Sequence, residues 1–485
     1  MVSIYYYYSS VNTLRGTSLK WGLLILICAL GEIMAMMMYL NTKTSSAFAT
    51  GLIVFPIVGL LAHLRHRAKI SRLPWYVYPT FWITVSIFMI FFLTPLITIY
   101  GSTNIRPPFE DWNWEVEYGS TLMLGSISLF ALLLGSIRTN TSQIEYSIFP
   151  RGKFWKSNVN QLTSILLIFY GVLGYLVWIK EQGGLNSIFS NRNQLQAQGF
   201  IFNNGYLYDS LLVVTGVLTA LLARKRSLGF LKPGIIEIGI LLTMLPYIAR
   251  GDRSVFLYTL TVVAIIYSLT SKTNRVRFKT KLIILFLIPL MVVTPRIYRH
   301  ADTFSLASIK NGYSISNITE TVTGLDTAMV PALTILRSQL GVSIDYQLGK
   351  SYVKGLFKPL PRAIWKNKPM ELDRQLNLTL FPRTSQQVGF SFSGLSEPLV
   401  NFGLFGVITF FFVLGRLENR ITNFRKAINP HKIISLAWVS GFMFILIRGN
   451  LSTDYQRLLF PLIPALISIR KTNEIIFHNG DVGQK

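Results

Sequence analysis

Apolar residues in this chain come in long runs separated by short polar connections. Trp21 to Leu40, Trp82 to Ile99, Leu122 to Ile137 and Leu162 to Trp178 each approach the roughly 20 residues that carry a helix across a hydrocarbon core about 30 Å thick. The pattern predicts about twelve helices, at 19–40, 48–64, 75–99, 118–137, 159–179, 206–222, 233–249, 254–270, 281–297, 397–415, 433–448 and 454–470. The first follows a polar, Tyr-rich stretch, carries Glu32 and lacks a small-residue cleavage site. It is therefore expected to be a retained helix, with no signal peptide.

Composition agrees with that pattern, since 51% of the residues are hydrophobic and 14% are charged, far from the balance of a water-soluble chain. The fold class expected is all-α and polytopic. The single cysteine, Cys28, lies in the first helix, which excludes an intrachain disulfide and a cysteine metal cluster.

The net charge of +26 is sorted along the chain. Arg65, Arg67, Lys69 and Arg72 lie between the second and third helices, and Arg138, Arg151, Lys153 and Lys156 between the fourth and fifth. The same sign recurs at 224–232, 272–281 and 416–432, so every second connection is basic. By the positive-inside rule these connections and both termini are expected to be cytoplasmic. The alternate set is short or acidic, as at Glu110, Asp111, Glu115 and Glu117. The basic charge thus belongs to one membrane side, and no nucleic-acid partner is expected.

One connection breaks the rhythm. The chain divides into a membrane bundle over 1–298, a large extracytoplasmic loop over 299–396, a second bundle over 397–470 and a cytoplasmic tail over 471–485. The loop carries Arg337, Lys350, Lys354, Lys358, Arg362, Lys366, Lys368, Arg374 and Arg383 against fewer acids, which suits an anionic ligand. Its amphipathic stretch Ile318 to Leu340 and aromatic run Leu356 to Pro369 are expected to lie along or against the membrane surface.

Four outer constellations carry candidate chemistry, each with a plain structural alternative. Arg250-Gly-Asp-Arg253-Ser254 sets two guanidiniums, each a planar fork matched to phosphate, beside a helix start; alternatively Asp252 caps the next helix. In Arg448 to Arg457 the two arginines suit a shared anion with Asp454 orienting one, or Asp454 and Arg457 form a structural pair. Pro359 to Pro369 combines Arg362, Trp365 and Lys368 between prolines, a headgroup or sugar contact or else an interfacial anchor. Glu397, where Gly389 to Gly403 enters a helix, suits a general base or complements the helix N-terminus.

This order of elements resembles the Wzy family of oligosaccharide repeat-unit polymerases, including the O-antigen and enterobacterial common antigen polymerases. The resemblance covers most of the chain and rests on the turn 250–254, the loop segment 361–369, Gly394-Leu-Ser-Glu397, Asn401-Phe-Gly403 and the turn 448–457. A family pattern of Arg followed eleven residues later by Gly is met at Arg383 and Gly394 and fails at Arg192, where residue 203 is Asn.

Membership would imply a metal-independent glycosyltransferase of GT-C-like fold, needing no cofactor, in the bacterial cytoplasmic (inner) membrane. It would move a growing glycan from undecaprenyl pyrophosphate onto another lipid-linked repeat unit. Arg250, Arg253, Arg448 and Arg457 would then meet the pyrophosphate, with Asp454 beside them, and Glu397 would act as base or acceptor-positioning group. Arg192, Arg362 and Lys368 would contact glycan or headgroup. Candidate partners are the lipid-linked oligosaccharide, the bilayer, a chain-length regulator and a flippase. Two alternatives stay open: an O-antigen ligase, whose expected outer-loop His is offered only by His300, and a transporter of the same glycolipid. For the latter, the clear ionisable residues within the expected spans are Glu32 and Glu237.

Overall fold

The computed structural model describes residues 26–37, 40, 46–71, 73–96, 115–137, 160–181, 184, 205–227, 234–249, 252–270, 328–358, 365, 369–382, 390–422 and 430–469. Among these the regular elements are helices. α1 is Leu26–Met37, α2 Ser46–Leu52, α3 Val54–Ser71, and α4 Pro79–Phe88, which runs on through a π-helical stretch Met89–Leu93. Then come α5 Glu115–Ser136, α6 Gln161–Glu181, the short α7 Gly205–Tyr208, α8 Leu211–Ser227, α9 Ile235–Ala249 and α10 Arg253–Thr270. α11 Met329–Gln339, α12 Lys350–Leu356 and α13 Leu372–Leu380 precede α14 Ser396–Ile421, α15 Pro430–Arg448 and α16 Leu451–Ser468.

Among the described residues, six helical stretches are long and apolar enough to cross a membrane: Phe48–Lys69, Pro79–Leu96, Val116–Ser136, Gln161–Glu181, Ser396–Ile421 and Pro430–Arg448. Three shorter apolar helices, Leu26–Met37, Ile235–Ile248 and Ser254–Thr270, accompany them. The expected segments 206–222 and 454–470 are largely helical, as α8 and α16, and 281–297 lies outside the described residues. On α6 the side chains of Leu162, Ile165, Leu166, Phe169, Leu173 and Leu176 form an exposed apolar stripe with the spacing of one helix face. Such a face would be a liability in water and is at home against lipid tails.

The interior is built by pairs: α14 runs along α5, α16 along α8, and α15 sits between α4 and α10. Small residues set the closest approach. A Cβ on Gly135 of α5 would lie 2.1 Å from the Phe412 carbonyl oxygen of α14, so only glycine fits. Trp438 on α15 is fully buried, and its Nε1 donates to Thr219 Oγ1 of α8 at 3.2 Å.

Ionic and polar contacts sort the helix ends into two sets. At one end Arg67 pairs with Glu418 at 2.6 Å, Tyr76 shares a hydrogen bond with Ser268, Lys225 pairs with Glu237 at 2.9 Å, and the Asn160 amide donates to the Ser468 carbonyl. The described basic connections meet there. The opposite end gathers Glu117, the turn at 252–254, the described residues of 328–401 and the turn joining α15 to α16.

Loop residues do not simply cover the bundle. Met329 through Leu336 of α11 are all buried, and Arg337 fastens the helix to α5 by pairing with Glu117 at 3.0 Å and donating to Ser120 at 2.7 Å. The expectation of a surface-lying stretch therefore fails over 329–336. Those residues have no polar face before Arg337, so the segment buries all round rather than splitting between water and lipid.

Candidate functional site

Glu397, in the first turn of α14, is 1% exposed. Its Oε1 accepts from Ser351 Oγ at 2.8 Å, and its Oε2 from the Ser452 amide at 3.0 Å. The carboxylate thus complements a helix N-terminus, as one sequence alternative holds, but the helix is α16 rather than its own. Orphan first-turn amides and the positive dipole end favour an anion there. Ser351 reaches the site because α12 packs closely on the start of α16: a Cβ on Gly355 would sit 2.7 Å from Ser452 Cβ.

Directly after this carboxylate, α14 is broken. Phe402 and Gly403 leave the helical region, and Gly403 adopts φ 62°, ψ −151°, a conformation that L side chains rarely take. The carbonyls of Val400 and Asn401 are taken up by the amides of Gln347 and Leu348 at 3.0 and 3.2 Å. Asn401 locks the arrangement: its Oδ1 accepts from the Gly349 amide, and its Nδ2 donates to Ser351 Oγ and to the Glu397 carbonyl, all at 2.7 Å. Irregular backbone at a helix end is thereby satisfied by protein rather than left bare.

The turn between α15 and α16 extends the network. Asn450 accepts from Ser396 Oγ at 2.9 Å and donates to Asp373 Oδ1 at 2.5 Å. Burial, followed by the fields of Asp454, Glu371 and Glu397, raises the Asp373 carboxyl to about 7, against the donation from Asn450. Lys358 Nζ pairs with Glu371 at 3.0 Å and donates to the Thr453 carbonyl at 2.5 Å. Between α12, the start of α13 and the start of α16 lies an open cleft, its wall including Gln347, Ser351, Lys354, Lys358, Glu371 and Thr453.

Farther along α16, Arg457 is ringed by carboxylates: Asp252 at 2.9 Å, Asp454 at 3.7 Å and Asp209 at 3.9 Å. Ser254 Oγ donates to Asp252 Oδ1 at 2.7 Å, Gln456 Nε2 to Asp209 Oδ2 at 3.0 Å, and Tyr258 Oη to the Arg457 carbonyl at 3.2 Å. Of the residues singled out in the sequence, Asp454 and Arg457 are thus brought together, along with the turn containing Asp252. Arg448 closes α15, its guanidinium 6.0 Å from the Phe444 ring centre, and its carbonyl accepts from Ser391 Oγ. Arg253 is the first residue of α10, its side chain outside the description; Arg250, Arg192, Arg362 and Lys368 lie outside the described residues.

Sequence reasoning passes over Asp209, Asp373, Lys358, Asn450 and Ser351 as site residues. Asp209 carries a usable signal, being an ionisable residue inside the expected span 206–222. Lys358 shows only as one of the loop's many basic residues, and Asp373, Asn450 and Ser351 offer no signal, because their partners are distant in the chain. Glu32 and Glu237 act in packing: Glu32 accepts from Ser126 Oγ at 2.6 Å, and Glu237 pairs with Lys225 and accepts from Tyr267 Oη at 2.8 Å.

No protein-family model, no curated protein and no solved structure matches this chain.

Proposed function

We propose that this chain polymerises undecaprenyl-pyrophosphate-linked oligosaccharide repeat units into a surface polysaccharide on the outer face of a bacterial cytoplasmic membrane. It would act as a polymerase of the Wzy kind, with about twelve spans in a GT-C-like arrangement and both termini cytoplasmic. The single observation that supports the reading most is a meeting of three separate motifs. The turn at 252–254, the turn at 448–457 and the entry to α14 at 396–401 join in one polar network at the end of the bundle opposite the basic connections.

Transfer from a lipid pyrophosphate needs cations where charge develops on the departing oxygen and a base for the attacking hydroxyl. Glu397 is the base in this reading. Arg250, Arg253 and Arg448 meet the pyrophosphate, while Arg457, already held by three carboxylates, organises the turn that presents the first two.

A second reading, movement of the same glycolipid across the membrane, draws on one observation. A half-buried guanidinium–carboxylate cluster includes the buried Asp209, and α14 is discontinuous, features common in transporters. One experiment separates the two: purified protein is given a defined undecaprenyl-pyrophosphate oligosaccharide without nucleotide sugar, and the products are resolved on a gel. A ladder of whole repeat units, lost in Arg250→Ala and Arg253→Ala, is the expected result. Unchanged substrate that is nevertheless carried across liposome membranes would sink the polymerase reading.

A further inference from the structure

Glu397 is almost completely buried, and two serines on the cleft wall, Ser351 and Ser452, hydrogen-bond its carboxylate. A serine hydroxyl has one proton to donate and two lone pairs with which to accept. Ser351 donates to Glu397 Oε1 at 2.8 Å and accepts from Asn401 Nδ2 at 2.7 Å. Its proton is thereby directed at the carboxylate, and one accepting position is left on the hydroxyl of a residue that belongs to the cleft wall.

Resting on the polymerase reading above, we propose that this cleft is the acceptor-sugar subsite and that Ser351 is a catalytic residue relaying the acceptor's proton to Glu397. The walls suit a sugar: the amide of Gln347, the ammonium of Lys354, the carboxylate of Glu371 and the hydroxyl of Thr453 offer donors and acceptors, and Met370 and Leu372 offer apolar surface. As the acceptor hydroxyl oxygen bonds to the anomeric carbon of the donor glycan, the bond from that carbon to the pyrophosphate oxygen breaks. Its electron pair leaves on the lipid pyrophosphate. The acceptor proton passes to Ser351 Oγ, and the Ser351 proton passes to Glu397 Oε1. Asn401 is a positioning residue that keeps the serine hydroxyl turned toward the carboxylate.

The test compares the full-length wild type with Ser351→Ala, Ser351→Thr and Ser452→Ala in the gel assay, at varied acceptor concentration and pH. Alanine at 351 is expected to lower kcat by about 10²-fold with acceptor KM within a few-fold of wild type, and threonine to restore most of the rate. Should Ser351→Ala fail to fold, the threonine variant still decides, because a relay tolerates a second hydroxyl in its pH profile. A wild-type rate in Ser351→Ala overturns the relay while leaving the polymerase reading intact. A loss confined to Ser452→Ala, whose backbone amide is unchanged, moves the relay to that serine and overturns the assignment to Ser351. Absence of any ladder from the wild type removes both proposals together.

Discussion

Glu397 and Glu418 stand near opposite ends of α14, and each accepts the amide of the second residue of a different helix: Ser452 of α16 at 3.0 Å and Thr80 of α4 at 2.7 Å. They lie 21 positions apart, with the break at Phe402 and Gly403 close to the Glu397 end. A carboxylate at each end of one helix therefore anchors the bundle where backbone amides would otherwise be bare.

Removing Glu418 should damage stability rather than chemistry. It leaves the Arg67 guanidinium without its carboxylate and the Thr80 amide without an acceptor. Glu418→Ala is expected to cost about 3–5 kcal/mol, the usual penalty for breaking a buried pair, and Glu418→Gln less, since an amide oxygen still accepts. Thermal unfolding in detergent measures both, and an unchanged alanine variant would contradict this role.

The α5–α14 contact predicts a sharp contrast between two glycines. Gly135→Ala places a methyl group against the Phe412 carbonyl and should destabilise by about 1–3 kcal/mol or more, as overpacking does. Gly51 has no neighbour within 4 Å of an added Cβ. Gly51→Ala should be neutral or slightly stabilising, given alanine's higher helix propensity. Equal melting temperatures for the two variants would refute the close approach.

Arg457 and Asp252 should be energetically coupled. Asp252→Asn and Arg457→Gln are each expected to destabilise, and their combination to cost less than the sum by about 0.5–3 kcal/mol. A double-mutant cycle of unfolding measurements gives the coupling directly; additive effects would mean that the 2.9 Å contact carries no energy.

Asp373 makes stability depend on pH. Its carboxyl lies near 3.9 in an unfolded chain and is raised to about 7 in the fold, chiefly by burial. The native state holds this proton more tightly, so the stabilisation it provides is full below about pH 4 and lost as pH rises through about 7. Asp373→Asn should gain stability relative to wild type as pH increases from 5 to 8, as thermal melts at both values would reveal. A difference independent of pH would mean that the carboxyl titrates normally.

Much of the helical layout is legible in the sequence. The runs at 118–137, 159–179 and 433–448 recur as α5, α6 and α15 with modest shifts in their ends, and 48–64 falls within α2 and α3 together, because a long apolar run meets its requirement locally. Segment 329–336 is apolar too, yet it buries within the protein instead of lying on a surface; its composition does not distinguish those environments. The site is legible only in its parts. Glu397, Asp454 and Arg457 stand out as charges at helix ends, whereas Ser351, Asn450 and Asp373 carry no local mark.

What the sequence determines by itself is what depends on short-range periodicity and charge: helices, the alternation of basic connections, and the grouping of described basic connections at one end. Tertiary structure alone decides which helix end each buried carboxylate serves. Glu397 could have complemented its own helix, and it complements α16 because Gly355 lets α12 and α16 close around it. Likewise, Arg457 could have stood open to an anion, and it is ringed by Asp209, Asp252 and Asp454. The physical reason is common to both: a buried charge must find its compensation in space, and distances in space are set by packing between helices far apart in the chain.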